Sequence, residues 1–281
     1  MPAISFDNLR ACLDLVETEP GRYDAANLDM DYRRVFGGQI LAQTLLAATA
    51  AAGDGKEVKS LAQLFPREGQ SDSSMRYAVT KHQEGRTYAS SGVVATQVDE
   101  TQSDESRREK TVSVATVSLH TPEDGSLRQD DAPDIGKPEA ATAADLGMIP
   151  WETRAVDGVD LAARDVGPAS YRFWMRTPSL PDSPPLHQAL LAYATDLTII
   201  GTALRPAEGL SQADSMVRFH SAVTSHSLWF HQALRVDEWL LVDQCSPVVA
   251  GSRAYGRGDV WSLDGRLVAS FAQESMIRML A

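Results

Sequence analysis

The chain has 281 residues, enough for one large domain or for two fused modules of similar length. With 43% hydrophobic and 23% charged residues it has the composition of an ordinary soluble globular protein, which excludes disordered and fibrous classes. A formal net charge of -12 repels nucleic acid and anionic membrane surfaces, so neither is an expected partner, and a polyphosphate ligand has to meet local arginines.

The N-terminus, Met1-Pro2-Ala3-Ile4-Ser5, has no basic region leading into an apolar run, so no export signal is read and a cytoplasmic location is expected. Apolar stretches such as Ile40–Leu46 fall far short of the ~20 residues a bilayer needs, and no stable membrane association is expected. Cys12 and Cys245 lie too far apart for metal-ligand spacing or a disulfide framework, and both read as reduced structural thiols.

In chain order, the first strong signal is an apolar helix from Gly38 to about Ala52, whose Ile40, Leu41, Leu45, Leu46 and alanines leave almost no polar face. Such a helix has to be wrapped. Strands are predicted at Met75–His82, Thr87–Gln97 and Lys110–His120, with a turn at Glu84-Gly85-Arg86 and a charged, solvated loop over Asp99–Lys110. Residues 122–165 carry Pro, Gly, Asp and Ala without periodicity and read as a linker. A second apolar helix follows at Leu186–Ile200, then strands at about Met216–Phe230, Glu238–Ser246, Ser252–Ser262 and Arg266–Met279.

The second half repeats the order of the first, with local echoes: Gly38-Gln39 and His187-Gln188, Arg86-Thr87-Tyr88 and Arg253-Ala254-Tyr255, Val114-Ala115-Thr116 and Val268-Ala269-Ser270. Matches in the same order are the mark of an internal duplication. The reading is therefore α+β, with an N-terminal half over 1–121, a linker over 122–165 and a C-terminal half over 166–281. In each half an antiparallel sheet curls around its helix. Joining the two sheets side by side would remove an exposed edge from each.

Several residues fit this scheme poorly as structure alone. Asp196 is the one formally charged side chain within Leu186–Ala203, and an unpaired buried carboxylate costs several kcal/mol or more. It is either placed for chemistry, exposed at the end of the helix, or bonded to a neighbouring hydroxyl. Gln273 interrupts the apolar face Leu267, Ala269, Phe271, Ile277 of the last strand, so its amide needs polar neighbours or water on the core side. A purely structural network explains it equally well. Gly37-Gly38-Gln39 stand where a loop enters a helix, and such a terminus favours a developing negative charge, although packing alone also explains the glycines. His226 and His231 lack acidic or thiol partners at ligand spacing, and no metal is expected. Arg33, Arg34, Arg86, Arg253 and Arg257 are the cations available to a phosphate, or else scattered surface charge. No Gly-x-Ser-x-Gly elbow, Walker A motif or Gly-x-Gly-x-x-Gly fingerprint occurs, which disfavours serine hydrolases, P-loop enzymes and Rossmann dehydrogenases.

The runs Arg34-Val35-Phe36-Gly37-Gly38-Gln39, Leu186-His187-Gln188 through Ala194-Thr195-Asp196, Thr224-Ser225-His226-Ser227-Leu228-Trp229-Phe230-His231, Glu238-Trp239-Leu240-Leu241, Asp264-Gly265-Arg266-Leu267-Val268-Ala269-Ser270 and Ala272-Gln273-Glu274 resemble the acyl-CoA thioesterase II family. The resemblance runs from Leu9 onward, the linker excepted. It implies a double hotdog fold, hydrolysis of fatty acyl-CoA to free acid and CoA with water as co-substrate, no cofactor, and a homo-oligomer. It assigns the catalytic set to Asp196, Thr224 and Gln273. Asp196 is then the general base, with Thr224 and Gln273 holding the water, and the backbone N–H groups of Gly38 and Gln39 are candidates for the oxyanion. Arg86, Arg253 and Arg257 are the candidate CoA contacts. The positions of the first half near Ala47 and Leu119 lack the acid and the amide, so one active site per chain is implied. The chain departs from the family pattern at Ser91-Gly92, where a basic pair is expected, and at Leu64-Phe65-Pro66-Arg67-Glu68-Gly69. The rival readings are a hotdog enoyl-CoA hydratase or dehydratase and a non-catalytic acyl-CoA-binding module.

Overall fold

The computed structural model describes residues 4–30, 32–53, 55–98, 109–125, 127–134 and 136–280. They fall into two compact units, one of Met1–Gly125, Gly147–Pro150 and Ser183–Ala194, the other of Ser126–Leu146, Trp151–Asp182 and Thr195–Ala281.

The first unit holds helix α1 (Phe6–Cys12), strands β1 (Val16–Glu19) and β2 (Arg22–Ala25), helix α2 (Gly37–Ala51), strands β3 (Glu57–Leu64), β4 (Met75–Glu84), β5 (Tyr88–Val98) and β6 (Glu109–His120), and nearly all of helix α3 (Pro184–Thr195). Its sheet runs β1-β2-β4-β5-β6-β3 with every pairing antiparallel. Helix α2 packs against β2 through β6, as its lack of a polar face requires. Two of the polar side chains it buries, Gln39 and Gln43, are bonded in a network. The Gln43 amide donates to the carbonyls of Cys12 and Ala26 at 2.7 and 2.8 Å and accepts from the Tyr77 hydroxyl at 2.6 Å. Gln39 accepts from the Leu28 N–H at 3.0 Å and donates to Asn27 at 2.9 Å. Gln188 on α3 does the same for β3, whose bulge between Val58 and Ser60 frees the Val58 backbone: the amide accepts from its N–H at 3.3 Å and donates to its carbonyl at 2.9 Å.

The second unit holds β7 (Thr142–Ala144), β8 (Glu152–Ala155), β9 (Ser170–Arg176), the short helix α4 (Ile199–Leu204), β10 (Phe219–Phe230), β11 (Leu240–Ala250), β12 (Arg253–Ser262) and β13 (Leu267–Met279). Its antiparallel order is β10-β13-β12-β11-β9-β8-β7. α4 lies on β9, β11, β12 and β13. A cluster of Trp174, Trp239 and Trp261 with Val156 and Leu241 fills another part of its core.

Three expectations are corrected. The segment 122–165 is no bare linker, since it contributes β7 and β8, pieces too short to show a period of two. The helix expected over Leu186–Ile200 is broken: α3 stops at Thr195 and α4 starts at Ile199, with a turn over 196–198. Asp and Thr side chains compete for backbone and sheet partners, which favours such a break. β1, β2, β3 and β9 form strands where none is expected from the sequence. The loop expected over Asp99–Lys110 lies outside the described residues as far as 108, and its last two residues begin β6. No helix among the described residues is long and apolar enough to cross a membrane.

Candidate active site

Asp196 sits in the turn between α3 and α4 and is 3% exposed. The turn is tied to the sheet on both sides. Before it, the Thr195 hydroxyl lies 3.1 Å from His226 Nε2 on β10. After it, the Thr198 hydroxyl donates to Gln244 Oε1 on β11 at 2.9 Å, and Gln244 Nε2 donates to Thr202 on α4 at 2.6 Å. All of these side chains are buried, so each bond replaces water that the groups have lost.

The first tie continues into β13. His226 and Gln273 are directly opposite in the β10–β13 register, and His226 Nδ1 is 3.0 Å from Gln273 Oε1. Gln273 Nε2 donates in turn to Ser275, two residues along on the same face, at 3.0 Å. A carbonyl oxygen can only accept, so Nδ1 carries the ring proton and Nε2 accepts from the Thr195 hydroxyl. The imidazole is neutral: burial pushes its pKa down to about 4, against a smaller opposing effect of the Gln273 bond. It stacks on Phe271 with centroids 5.8 Å apart and planes at 8°.

Two glycines of β12 make this face possible. Gly256 is opposite Gln273 and Gly258 opposite Phe271. A Cβ at Gly258 would lie 2.6 Å from the Phe271 ring, and one at Gly256 would lie 2.6 Å from Ile199 Cγ2. Only hydrogen at these positions lets Phe271 and the first residue of α4 lie flat on the sheet.

The other residues singled out in the sequence are placed elsewhere. Thr224 is the extra residue of a bulge between Val223 and Ser225, and its hydroxyl donates to the Glu274 carbonyl at 3.1 Å and carboxylate at 3.0 Å. Glu274 is on the face opposite Gln273; His226 links Gln273 to Thr195 beside Asp196, while the hydroxyl of Thr224 is bonded to Glu274. Arg253 and Arg257 point to that same outer face, alternating with buried Ala254, Gly256 and Gly258, and Arg253 lies 3.8 Å from Glu274. Arg86 is exposed at the β4–β5 turn of the first unit. Gly38 and Gln39 are in the first turn of α2. There a Cβ on Gly38 would strike the Tyr193 carbonyl, the Phe36 and Tyr193 rings meet edge-on at 5.0 Å, and Gln39 serves the Leu28 backbone. In the sequence Thr195 and His226 stand only within the runs that carry the resemblance, with His226 also set aside as a metal ligand, and Ser275 carries no signal. The available signal for His226 was its place on the Leu228 and Phe230 face of β10. Among the described residues no group of three or more His, Cys, Asp or Glu is arranged to hold a metal.

A buried helix packed on an antiparallel sheet, with a polar relay between the turn carrying Asp196 and the last strand, defines a hotdog-type enzyme. The fold is the double hotdog: an acyl-CoA thioesterase II, TesB2, from Mycobacterium marinum superposes with a TM-score of 0.79 at 27% identity, over 97% of this chain and 98% of that one. Acyl-CoA thioesterase 2 of Haemophilus influenzae is 29% identical over 97% of each chain. Acyl-coenzyme A thioesterase 8 of Homo sapiens is 29% identical over 88% of this chain and 81% of its own. The Acyl-CoA thioesterase C-terminal domain family matches residues 122–277, more than half of the chain. This chain belongs to that family of thioester hydrolases, within thioesterase II.

Proposed function

We propose that the chain hydrolyses fatty acyl-CoA to free fatty acid and CoA by direct attack of water, with Asp196 as general base and without a covalent acyl-enzyme. A thioester carbonyl is electrophilic enough that water needs only orientation and loss of a proton. Asp196 takes that proton as the water oxygen bonds to the carbonyl carbon. The tetrahedral adduct then collapses with cleavage of the C–S bond, and the proton passes from Asp196 to the departing CoA sulfur. Positioned proton transfer of this kind contributes about 10²–10⁴-fold.

The observation that carries the reading is the state of Gln273. Its Oε1 is fixed by His226 and one Nε2 hydrogen by Ser275, which leaves the second amide hydrogen to donate to the attacking water. Thr224 receives no water contact in this proposal because its hydroxyl is engaged by Glu274. A hydratase or dehydratase working on the acyl chain would call for an imidazole free to exchange protons with substrate, whereas both ring nitrogens of His226 are occupied.

Free-thiol release from short, medium and long acyl-CoAs tests the reaction, and a folded Asp196→Asn variant tests the base. Release in wild type and a drop of about 100-fold or more in the variant are expected. Intact mass after rapid acid quench tests the direct attack of water, since a protein adduct of acyl mass would overturn it.

A further inference from the structure

We propose that His226 is a positioning residue for hydrolysis: an imidazole that sets the orientation of the Gln273 amide with one nitrogen and, with the other, holds Thr195, the last residue of α3 before the turn carrying Asp196. The inference rests on the thioesterase reading of Asp196 and Gln273 and adds a residue to it. His226 itself touches no reacting atom.

Three features of the geometry support it. An amide on a strand can present either its oxygen or its nitrogen to a neighbour, and the two ends would do opposite things to a water molecule. The ring Nδ1–H donates to the amide oxygen at 3.0 Å, and the amide nitrogen donates to Ser275 at 3.0 Å, so the two contacts together hold the amide in one orientation. The Nε2 lone pair at 3.1 Å requires a donor, which makes Thr195 point its hydroxyl to the sheet, and Thr195 is the residue immediately before Asp196. The ring itself is fixed, fully buried and stacked on Phe271, and it retains one protonation state across neutral pH. One side chain therefore coordinates two elements that sequence places 31 and 47 residues away.

His226→Phe keeps the ring on Phe271 and removes both hydrogen bonds, whereas His226→Asn keeps an amide N–H near the position of Nδ1 and loses only the Thr195 contact. In the thiol-release assay, run beside wild type and Asp196→Asn, the Phe variant is expected to lose about 100-fold in kcat with KM nearly unchanged, the size of effect that a small misplacement of reacting groups produces. The Asn variant should recover part of that loss. A merely structural histidine would lower the melting temperature of both variants and leave kcat of the folded protein at the wild-type value, and that result would overturn the inference. So would an equal loss in the Phe and Asn variants at equal stability. Should His226→Phe not fold, Thr195→Val removes the hydroxyl donor alone. A lower kcat is then expected, and wild-type kcat counts against the proposal. If Asp196→Asn is as active as wild type, the site reading fails, and His226 fails with it as a residue of that site.

Discussion

Replacing Gly256 by alanine tests the close packing that places the Asp196 turn. The added Cβ would lie 2.6 Å from Ile199 Cγ2, 2.9 Å from Ile199 Cδ1 and 3.3 Å from the Cys245 carbonyl, where ordinary contact begins near 3.4 Å. Relief therefore needs Ile199 to move by about 0.8 Å, the difference between 2.6 and 3.4 Å. Ile199 is β-branched, fully buried and the first residue of α4, so the movement is passed to the turn over 196–198 rather than absorbed by a flexible side chain. Two opposing terms set the stability change. Alanine is favoured over glycine inside a strand by roughly 0.5–1 kcal/mol. Overpacking costs about 1–3 kcal/mol. Overpacking wins, for a net loss of about 1–2 kcal/mol, or roughly 2–8 °C in melting temperature for a unit of this size. A shift near 1 Å at the base should lower kcat by up to about 100-fold. Thermal unfolding and thiol release are measured together, with Gly125→Ala as the control because a Cβ there meets nothing within 4 Å. A Gly256→Ala protein with unchanged melting temperature and unchanged kcat would refute the reasoning.

Two further predictions follow from the same geometry. The folded pKa of His226, about 4, is below its unfolded value of 6.5, so between these the unfolded chain binds a proton that the folded one does not. Its contribution to stability is full above about pH 6.5 and is lost as pH falls toward about 4, amounting to about 3 kcal/mol for the buried ring. Denaturant unfolding at pH 7.5 and 4.5 should accordingly show a smaller drop in His226→Asn than in wild type, and equal drops would contradict the assignment. Thr224→Val removes a hydroxyl bonded only to Glu274 on the outer face, so it is expected to cost about 1 kcal/mol in stability and to leave kcat close to wild type. A collapse of kcat in that variant would restore Thr224 to the reacting centre.

The duplicated pattern was legible because its signals are local. The apolar run after Gly38 could only be a buried helix, and the alternation over β5, β6, β12 and β13 could only be half-buried strands. Asp196 and Gln273 stood out for the same reason, as one carboxylate in an apolar helix pattern and one amide on an apolar strand face. The strands β7 and β8 gave no comparable signal, since three or four residues cannot display a period and their strand state comes from pairing with each other and with β9.

What the sequence determined by itself was the α+β duplication and the identity of two polar residues, Asp196 and Gln273, that interrupt apolar patterns. What only the tertiary structure decided was how those residues are oriented. A one-residue bulge in β10 sends Thr224 to Glu274 on the outer face, and a register that sets His226 opposite Gln273 turns a histidine with no sequence-local partner into the centre of a relay. Both depend on strand pairings across roughly fifty residues of chain, and a side chain's face in a sheet reverses with a single slip in register, so no local pattern could have fixed them.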